Sequence, residues 1–271
     1  MDYNKPEDIV GDLIESGTRK SNLPVLNMLL KGILSGGLLG VATSLAFTAA
    51  MQSKLPIIGA IIFPVGFIML YLLGLELATG NFALLPLAMF AGRVGWTRVI
   101  RNWFWVYLGN LIGSLLYAVL LWAALTMCGQ ASANGSVADS VIAIATIKTV
   151  HYAAYGEYGW LTAFIKGVLC NWMVTMAAVM FMVSKSTTAK ILAMWLPIMT
   201  FFGQAFEHSI VNMFIIPAGI ILGAKINASK WWMLNEIPVT LGNVVGAILF
   251  TALPLYVLYK PKDMLIDSSA R

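Results

Sequence analysis

The chain has 271 residues, of which 59% are hydrophobic and only 11% charged. A soluble domain carries about 25% charge, so the composition excludes one and implies a polytopic membrane protein. The formal charge of +5 comes from basic residues scattered in short loops, which membrane topology explains better than a nucleic-acid surface does.

Residues 5–18 read as a short amphipathic helix. Asn4 can cap it, Pro6 suits its first turn, and Glu7 and Asp8 favour its positive end. Ile9, Val10, Leu13 and Ile14 form an apolar stripe opposite Asp12 and Glu15, as in an interfacial anchor or a lid over a pore mouth. The acidic N-terminus has no apolar core before residue 24, so no secretory signal is expected. The chain divides into an N-terminal helix at 1–23, a membrane domain at 24–260 and a tail at 261–271.

Apolar runs follow at about 25–51, 56–91, 103–128, 160–183, 187–222 and 237–259. One crossing takes about 20 residues. The second and fifth runs are too long for one straight span, and polar residues interrupt both, so each reads as two halves around a break. Cys128 and Cys170 lie in or at the end of apolar segments and indicate neither a disulfide framework nor a metal site. Pro24, Pro86 and Pro254 read as boundary features, and the glycines at four-residue spacing (Gly32/Gly36/Gly40, Gly109/Gly113, Gly242/Gly246) as points of close helix approach.

Six crossings put both termini on one side. That side receives Lys5, Arg19, Lys20, Arg93, Arg98, Arg101, Lys185, Lys190, Lys260, Lys262 and Arg271, against Lys54, Lys148, Lys225 and Lys230 on the other. Lys31 and Lys166 fall inside apolar runs. The asymmetry makes the termini cytoplasmic. The halves also repeat. Lys31-Gly-Ile-Leu-Ser35 returns as Lys166-Gly-Val-Leu-Cys170, Phe63-Pro64 as Leu196-Pro197, Glu76…Asn81 as Glu207…Asn212, and Val106-Tyr-Leu-Gly-Asn-Leu-Ile-Gly113 as Val239-Thr-Leu-Gly-Asn-Val-Val-Gly246, at offsets of 135, 133, 131 and 133. Three crossings per copy make the repeat inverted, with the two breaks expected to meet near the midplane.

The second break places Glu207 beside His208, within a polar cluster with Gln204, Ser209 and Asn212. Charge at bilayer depth costs about 2.5–3.5 kcal/mol and faces a cavity or a partner. The equivalent positions of Glu76 and Glu207 suggest that each accepts backbone N–H groups freed at a break. His208 is the one histidine inside an apolar segment. It is either a hydrogen-bonded core residue or a pore-lining group able to hold or release a proton. Haem ligation would need a second axial ligand, and no cofactor or metal is expected.

Leu75-Glu-Leu-Ala-Thr-Gly-Asn81, Phe206-Glu-His-Ser-Ile-Val-Asn-Met-Phe214, Asn102-Trp…Tyr107-Leu-Gly-Asn110, Cys170-Asn-Trp-Met173 and Leu241-Gly-Asn243 resemble the formate–nitrite transporter family over about residues 6–260. The resemblance implies an all-α, aquaporin-like protomer of six transmembrane helices in a 3+3 inverted repeat, with the second and fifth broken. It further implies a homopentamer in the prokaryotic cytoplasmic membrane, passing small monovalent anions or their acids, and no enzyme activity. Residue by residue, it carries the central histidine onto His208 and the facing threonine onto Thr79. The apolar constrictions become Phe63, Phe67 and Leu77 with Phe201, the central amides Asn171 and Asn212, and the vestibule lysines Lys148 and Lys20 (or Arg19). Ala78 stands where an aromatic often precedes the threonine.

Formate is the first substrate expected, with nitrite, hydrosulfide or lactate as alternatives that the motifs do not separate. A water or glycerol channel would show paired Asn-Pro-Ala triplets, which the breaks lack, and the anchor subunit of a redox enzyme would show paired metal or haem ligands. Taking a bare carboxylate into a dry constriction costs of order 20 kcal/mol. Protonating one of pKa near 3.7 at pH 7 costs about 4.5 kcal/mol. Passage as the neutral acid is therefore expected, with Lys148 and Lys20 drawing the anion in.

Overall fold

The computed structural model describes residues 3–135 and 137–259, and within them the chain is helical, the one β-type contact being an isolated Tyr3–Ser184 bridge. The tail at 261–271, with Lys260, Lys262 and Arg271 of the charge count, lies outside the described residues.

Four rods are long and apolar enough to cross a membrane: α2 (Val25–Ser53), α6 (Trp96–Leu125), α8 (Glu157–Met182) and the Ala228–Tyr259 rod. That last rod joins α11 (Ala228–Trp231), α12 (Ile237–Ala247) and α13 (Leu253–Tyr259) through two π-helical turns. Two further apolar segments are broken, as expected. The first comprises α3 (Pro56–Ile62), α4 (Pro64–Leu72) and α5 (Ala78–Phe90); the second comprises α9 (Thr187–Gly203) and α10 (Ser209–Leu222). Phe63 joins α3 to α4 in helical geometry, with Pro64 opening the new helix. Pro86 is not a boundary. It lies inside α5, as Pro217, 131 residues on, lies inside α10.

The repeat is visible in the packing. Rod α2 pairs with α6, and α8 with α12. Both contacts need glycine: a Cβ on Gly109 would lie 2.7 Å from the Leu29 carbonyl, and one on Gly167 2.8 Å from that of Val239. Each break opens the same way. The amides of Gly74 and Leu75 reach back to Tyr71 O and Leu70 O, and those of Ala205 and Phe206 to Phe202 O and Phe201 O. This turn needs a left-handed residue. It is Gly74 (φ +62°) in the first copy and Ala205 (φ +52°) in the second.

Two expectations about the flanks change. Helix α1 (Pro6–Ser21) starts on Pro6 without a side-chain cap. Asn4 instead ties the strand before it to the end of α8, donating from its side chain to Met182 O at 2.7 Å and from its backbone to Val183 O at 2.8 Å. The apolar stripe of α1 is no interfacial anchor. Ile9, Val10, Leu13 and Ile14 are all buried, and the helix lies on α5. The connection between α6 and α8, which lies between the apolar runs at 103–128 and 160–183, carries α7 (Val137–Thr146), which runs on through a π turn at Ile147–His151. Val137, Val141 and Ala145 form its buried stripe, seated on α10.

Candidate functional site

Two cavities open at opposite ends of α2 and α8. The cavity on the α1 side, about 360 Å³, is lined by Lys20, Lys31, Tyr71, Glu76, Leu77 and Asn81 among others. The cavity on the α7 side, about 540 Å³, reaches Lys148, Lys166, Phe201, Glu207, His208 and Asn212. Between them the protein is closed by rings. Phe63, Phe67 and Phe201 are fully buried and touch pairwise, with centroids 5.7–5.9 Å apart. Phe202 stacks on Phe63 at 3.9 Å. Leu77 is buried at the floor of the α1-side cavity.

His208 and Thr79 meet against these rings, where the α7-side cavity ends. The imidazole lies between Phe67 (5.6 Å, edge-on) and Phe201 (5.7 Å, stacked), and its Nε2 is 3.0 Å from Thr79 Oγ1. As the N-cap of α10, His208 accepts the Val211 amide on Nδ1 at 3.2 Å. A nitrogen that accepts an N–H carries no proton of its own, so in the neutral ring Nε2 bears the hydrogen. Placing protons on both nitrogens would break this cap. Helices α5 and α10 both begin at the breaks, so their positive ends meet near Thr79 and His208, where an anion is favoured.

A twofold-repeated polar frame holds the breaks. Lys20 Nζ donates to Glu76 Oε1 at 2.7 Å, Asn81 Nδ2 to Glu76 Oε2 (2.8 Å) and Asn102 Oδ1 (2.9 Å), and Asn102 Nδ2 to Lys20 O (2.9 Å). In the second copy Lys148 Nζ donates to Glu207 Oε2 at 2.8 Å, Asn212 Nδ2 to Glu207 Oε2 (2.7 Å) and Asn235 Oδ1 (2.8 Å), and Asn235 Nδ2 to Lys148 O (2.9 Å). Tyr152 adds a hydroxyl to Glu207 Oε1 at 2.8 Å.

This geometry corrects the role expected of the glutamates. Among the described residues, neither carboxylate takes a backbone N–H; both are held by side-chain donors. The freed backbone belongs to Asn110 and Asn243. Asn110 Oδ1 accepts Ala78 N–H while its Nδ2 reaches Gly32 O and Glu76 O; Asn243 Oδ1 accepts Ser209 N–H while its Nδ2 reaches Gly167 O and Glu207 O. An amide carries donor and acceptor together and can close both sides of a break. A carboxylate cannot.

The lysines expected as vestibule charges are largely buried. Lys148 lies on the π turn after α7, and its side chain is 12% exposed; Lys20, on α1, is 20% exposed. Both are ion-paired. Arg19, the alternative to Lys20, forms only an exposed 3.5 Å pair with Glu15. Asn212 lines the α7-side cavity, its amide nitrogen spent on Glu207 and Asn235. Asn171 lines neither cavity described above. It stands behind Thr79, donating to Thr79 O (3.1 Å) and Asn243 O (2.6 Å), and its buried Oδ1 has no partner among the described residues.

Sequence reasoning missed the Asn102/Asn235 pair, whose common offset of 133 matches that of Asn110/Asn243 and was a usable signal. It also missed Glu236, buried under Tyr107 OH (2.7 Å) and Trp231 Nε1 (3.0 Å), which no repeat position marks.

Two broken helices face each other across an apolar plug, each fastened by the same Lys–Glu–Asn–Asn frame. Residues 7–257 match the family model described as formate/nitrite transporter. The chain belongs to the formate/nitrite transporter family. It is 34% identical over 257 residues to the formate channel FocA of Haemophilus influenzae, covering 85% of this chain and 86% of that one. It is 31% identical over 270 residues to FocA of Escherichia coli K12, covering 90% of each. Among solved structures, an FNT family ion channel superposes with a TM-score of 0.79 at 25% identity, over 92% of this chain and 98% of that one. A pentameric formate channel with formate bound gives 0.71 at 26%, over 88% and 98%. The formate/nitrite transporter fold is that expected from the sequence: an all-helical membrane protein with inverted halves and two broken segments. Its relatives are channels and transporters rather than enzymes.

Proposed function

We propose that the protein moves formate, as a small monovalent weak acid, across the prokaryotic cytoplasmic membrane, and that the anion crosses the constriction in neutral form. The observation that carries this reading is the plug itself: Phe63, Phe67 and Phe201 form a fully buried apolar zone whose polar content is the His208–Thr79 pair. Desolvating a carboxylate there costs of order 20 kcal/mol, and protonating it first costs about 4.5 kcal/mol. Thr79 and the Nε2–H of His208 would hold the passing species. Leu77 and the phenylalanines would gate it. Lys20 and Lys148 would offer hydrogen bonds at the two mouths, and Asn171 and Asn212 would support the route by fixing Thr79 and Glu207.

By analogy with the pentameric formate channel, the assembly is taken as a homopentamer in the lipid bilayer, each protomer with its own route. Exposed Leu30, Leu34, Phe104 and Leu116 on α2 and α6 suit lipid or protomer contact. Both termini are placed in the cytoplasm from the lysine and arginine asymmetry, so the domain scheme reads as a cytoplasmic helix at 1–23, a channel domain at 24–260 and a cytoplasmic tail at 261–271. Radiolabelled formate uptake into proteoliposomes, with nitrite, lactate and hydrosulfide competing, tests the substrate. Formate entry no faster than into empty liposomes would contradict it, and stronger competition by nitrite would favour that alternative anion.

A further inference from the structure

Charge accounting in the α7-side cavity singles out a residue that the frame above does not use. Two lysines and one glutamate line it: Lys148, Lys166 and Glu207. Lys148 and Glu207 cancel at 2.8 Å, so beyond a few ångströms their field is that of a dipole. Lys166 is the one left over. Among the described residues its ammonium has no carboxylate within ion-pair distance. Its Nζ lies 5.7 Å from the centroid of the Tyr152 ring, the ring whose hydroxyl is committed to Glu207. Its backbone carbonyl accepts the Glu207 amide at 3.3 Å, which seats the residue directly beside the break. A lysine inside an apolar rod is costly unless its stem carries the charge to water, and here the water is the cavity mouth. The α1-side cavity has a similar plan, with Arg19 added at its edge in an exposed 3.5 Å pair with Glu15. Lys20 is cancelled by Glu76, and Lys31, the repeat mate of Lys166, lines the cavity with its ammonium on Gly74 O at 3.0 Å.

We propose that Lys166, not the paired Lys148, supplies the net charge that collects a small monovalent anion in the α7-side cavity and holds it before the phenylalanine plug. Lys31 does the same on the α1 side. The proposal rests on the transport reading above for the identity of the anion, but not for the existence of the site. One ammonium in an apolar-walled cleft raises the local anion concentration about tenfold, at the low end of the effect of charged clefts. Salt removes that gain once the screening length falls below about 8–10 Å.

Two measurements test it together. The first is initial-rate formate uptake by proteoliposomes holding wild type, Lys166→Met, which keeps the stem, and Lys166→Arg, which keeps the charge. Lys166→Met is expected to raise the KM for formate by about tenfold at low ionic strength, with the gap closing in high salt, while Lys166→Arg stays near wild type. The second uses the wild-type protein alone, at constant ionic strength. Modification of Lys166 by an amine-reactive acylating reagent, read by mass spectrometry, is expected to slow when formate or nitrite replaces gluconate. An unchanged KM in Lys166→Met together with unprotected labelling overturns the proposal and leaves transport standing. Protected labelling in a protein that moves no formate upholds the anion site and overturns the transport reading instead.

Discussion

His208 serves two masters with its two nitrogens: Nδ1 caps α10 through Val211, and Nε2 meets Thr79. Asparagine is a good N-cap, so His208→Asn keeps the helix start but withdraws the donor from the route. Formate flux is expected to fall about tenfold, the value of one buried hydrogen bond of about 1–1.5 kcal/mol, with unchanged thermal stability. Full flux in that variant would reduce the ring to a cap. Glu207 poses the opposite case. Its side chain is 2% exposed and accepts from Lys148, Tyr152 and Asn212. Glu207→Gln leaves the Lys148 ammonium buried without a counter-charge, which costs about 3–5 kcal/mol. Pairing it with Lys148→Met is expected to restore most of the loss. Detergent-phase unfolding of the two single variants and the double variant measures the coupling; a single variant as stable as wild type would show that the pair is not essential to the break.

At the scale of elements, the two breaks are one design executed with different residues. The turn that ends the first half-segment uses Gly74, and its mate uses Ala205, both in the left-handed region. An L-residue there costs roughly 1–2 kcal/mol. Ala205→Gly is therefore expected to stabilise the protein by about 1 kcal/mol and Gly74→Ala to destabilise it by a similar amount, both measured as shifts in unfolding midpoint. No change in either would mean that the turn relaxes. The breaks were legible in the sequence because polar residues at 76–81 and 204–212 interrupt runs too long for one crossing. How they are held was not. Spacing shows that Glu76 and Glu207 correspond. It does not reveal that Asn110 and Asn243, on other rods, satisfy the open backbone, since that partnership exists only after α2 pairs with α6 and α8 with α12.

At the scale of the whole molecule, the near-constant offset between halves carried the architecture, because each copy's rods and breaks recur in chain order. What exists only once the elements pack escaped or misled the sequence argument. Helix α7 answers to α1, lying on α10 as α1 lies on α5 and leading to Lys148 at Glu207 as α1 leads to Lys20 at Glu76, but its buried stripe of Val137, Val141 and Ala145 is shorter than the runs that announce a crossing. Lys148 reads in the sequence as a vestibule charge without a partner, because nothing local shows that Glu207 will lie 2.8 Å from it. His208 falls opposite Leu77 under the 131-residue offset. The two breaks are therefore chemically unequal within a symmetric frame: one presents an imidazole where the other presents Leu77. The most direct test of neutral passage measures formate flux and charge movement together in proteoliposomes, against empty liposomes. Lowering external pH from about 7.5 to 5.5 raises the neutral fraction of an acid of pKa near 3.7 by about a hundredfold. The account predicts that protein-dependent uptake rises steeply over that range, takes up one proton per formate and ignores an imposed membrane potential. Uptake that is independent of pH, carries net negative charge and follows the potential would contradict it.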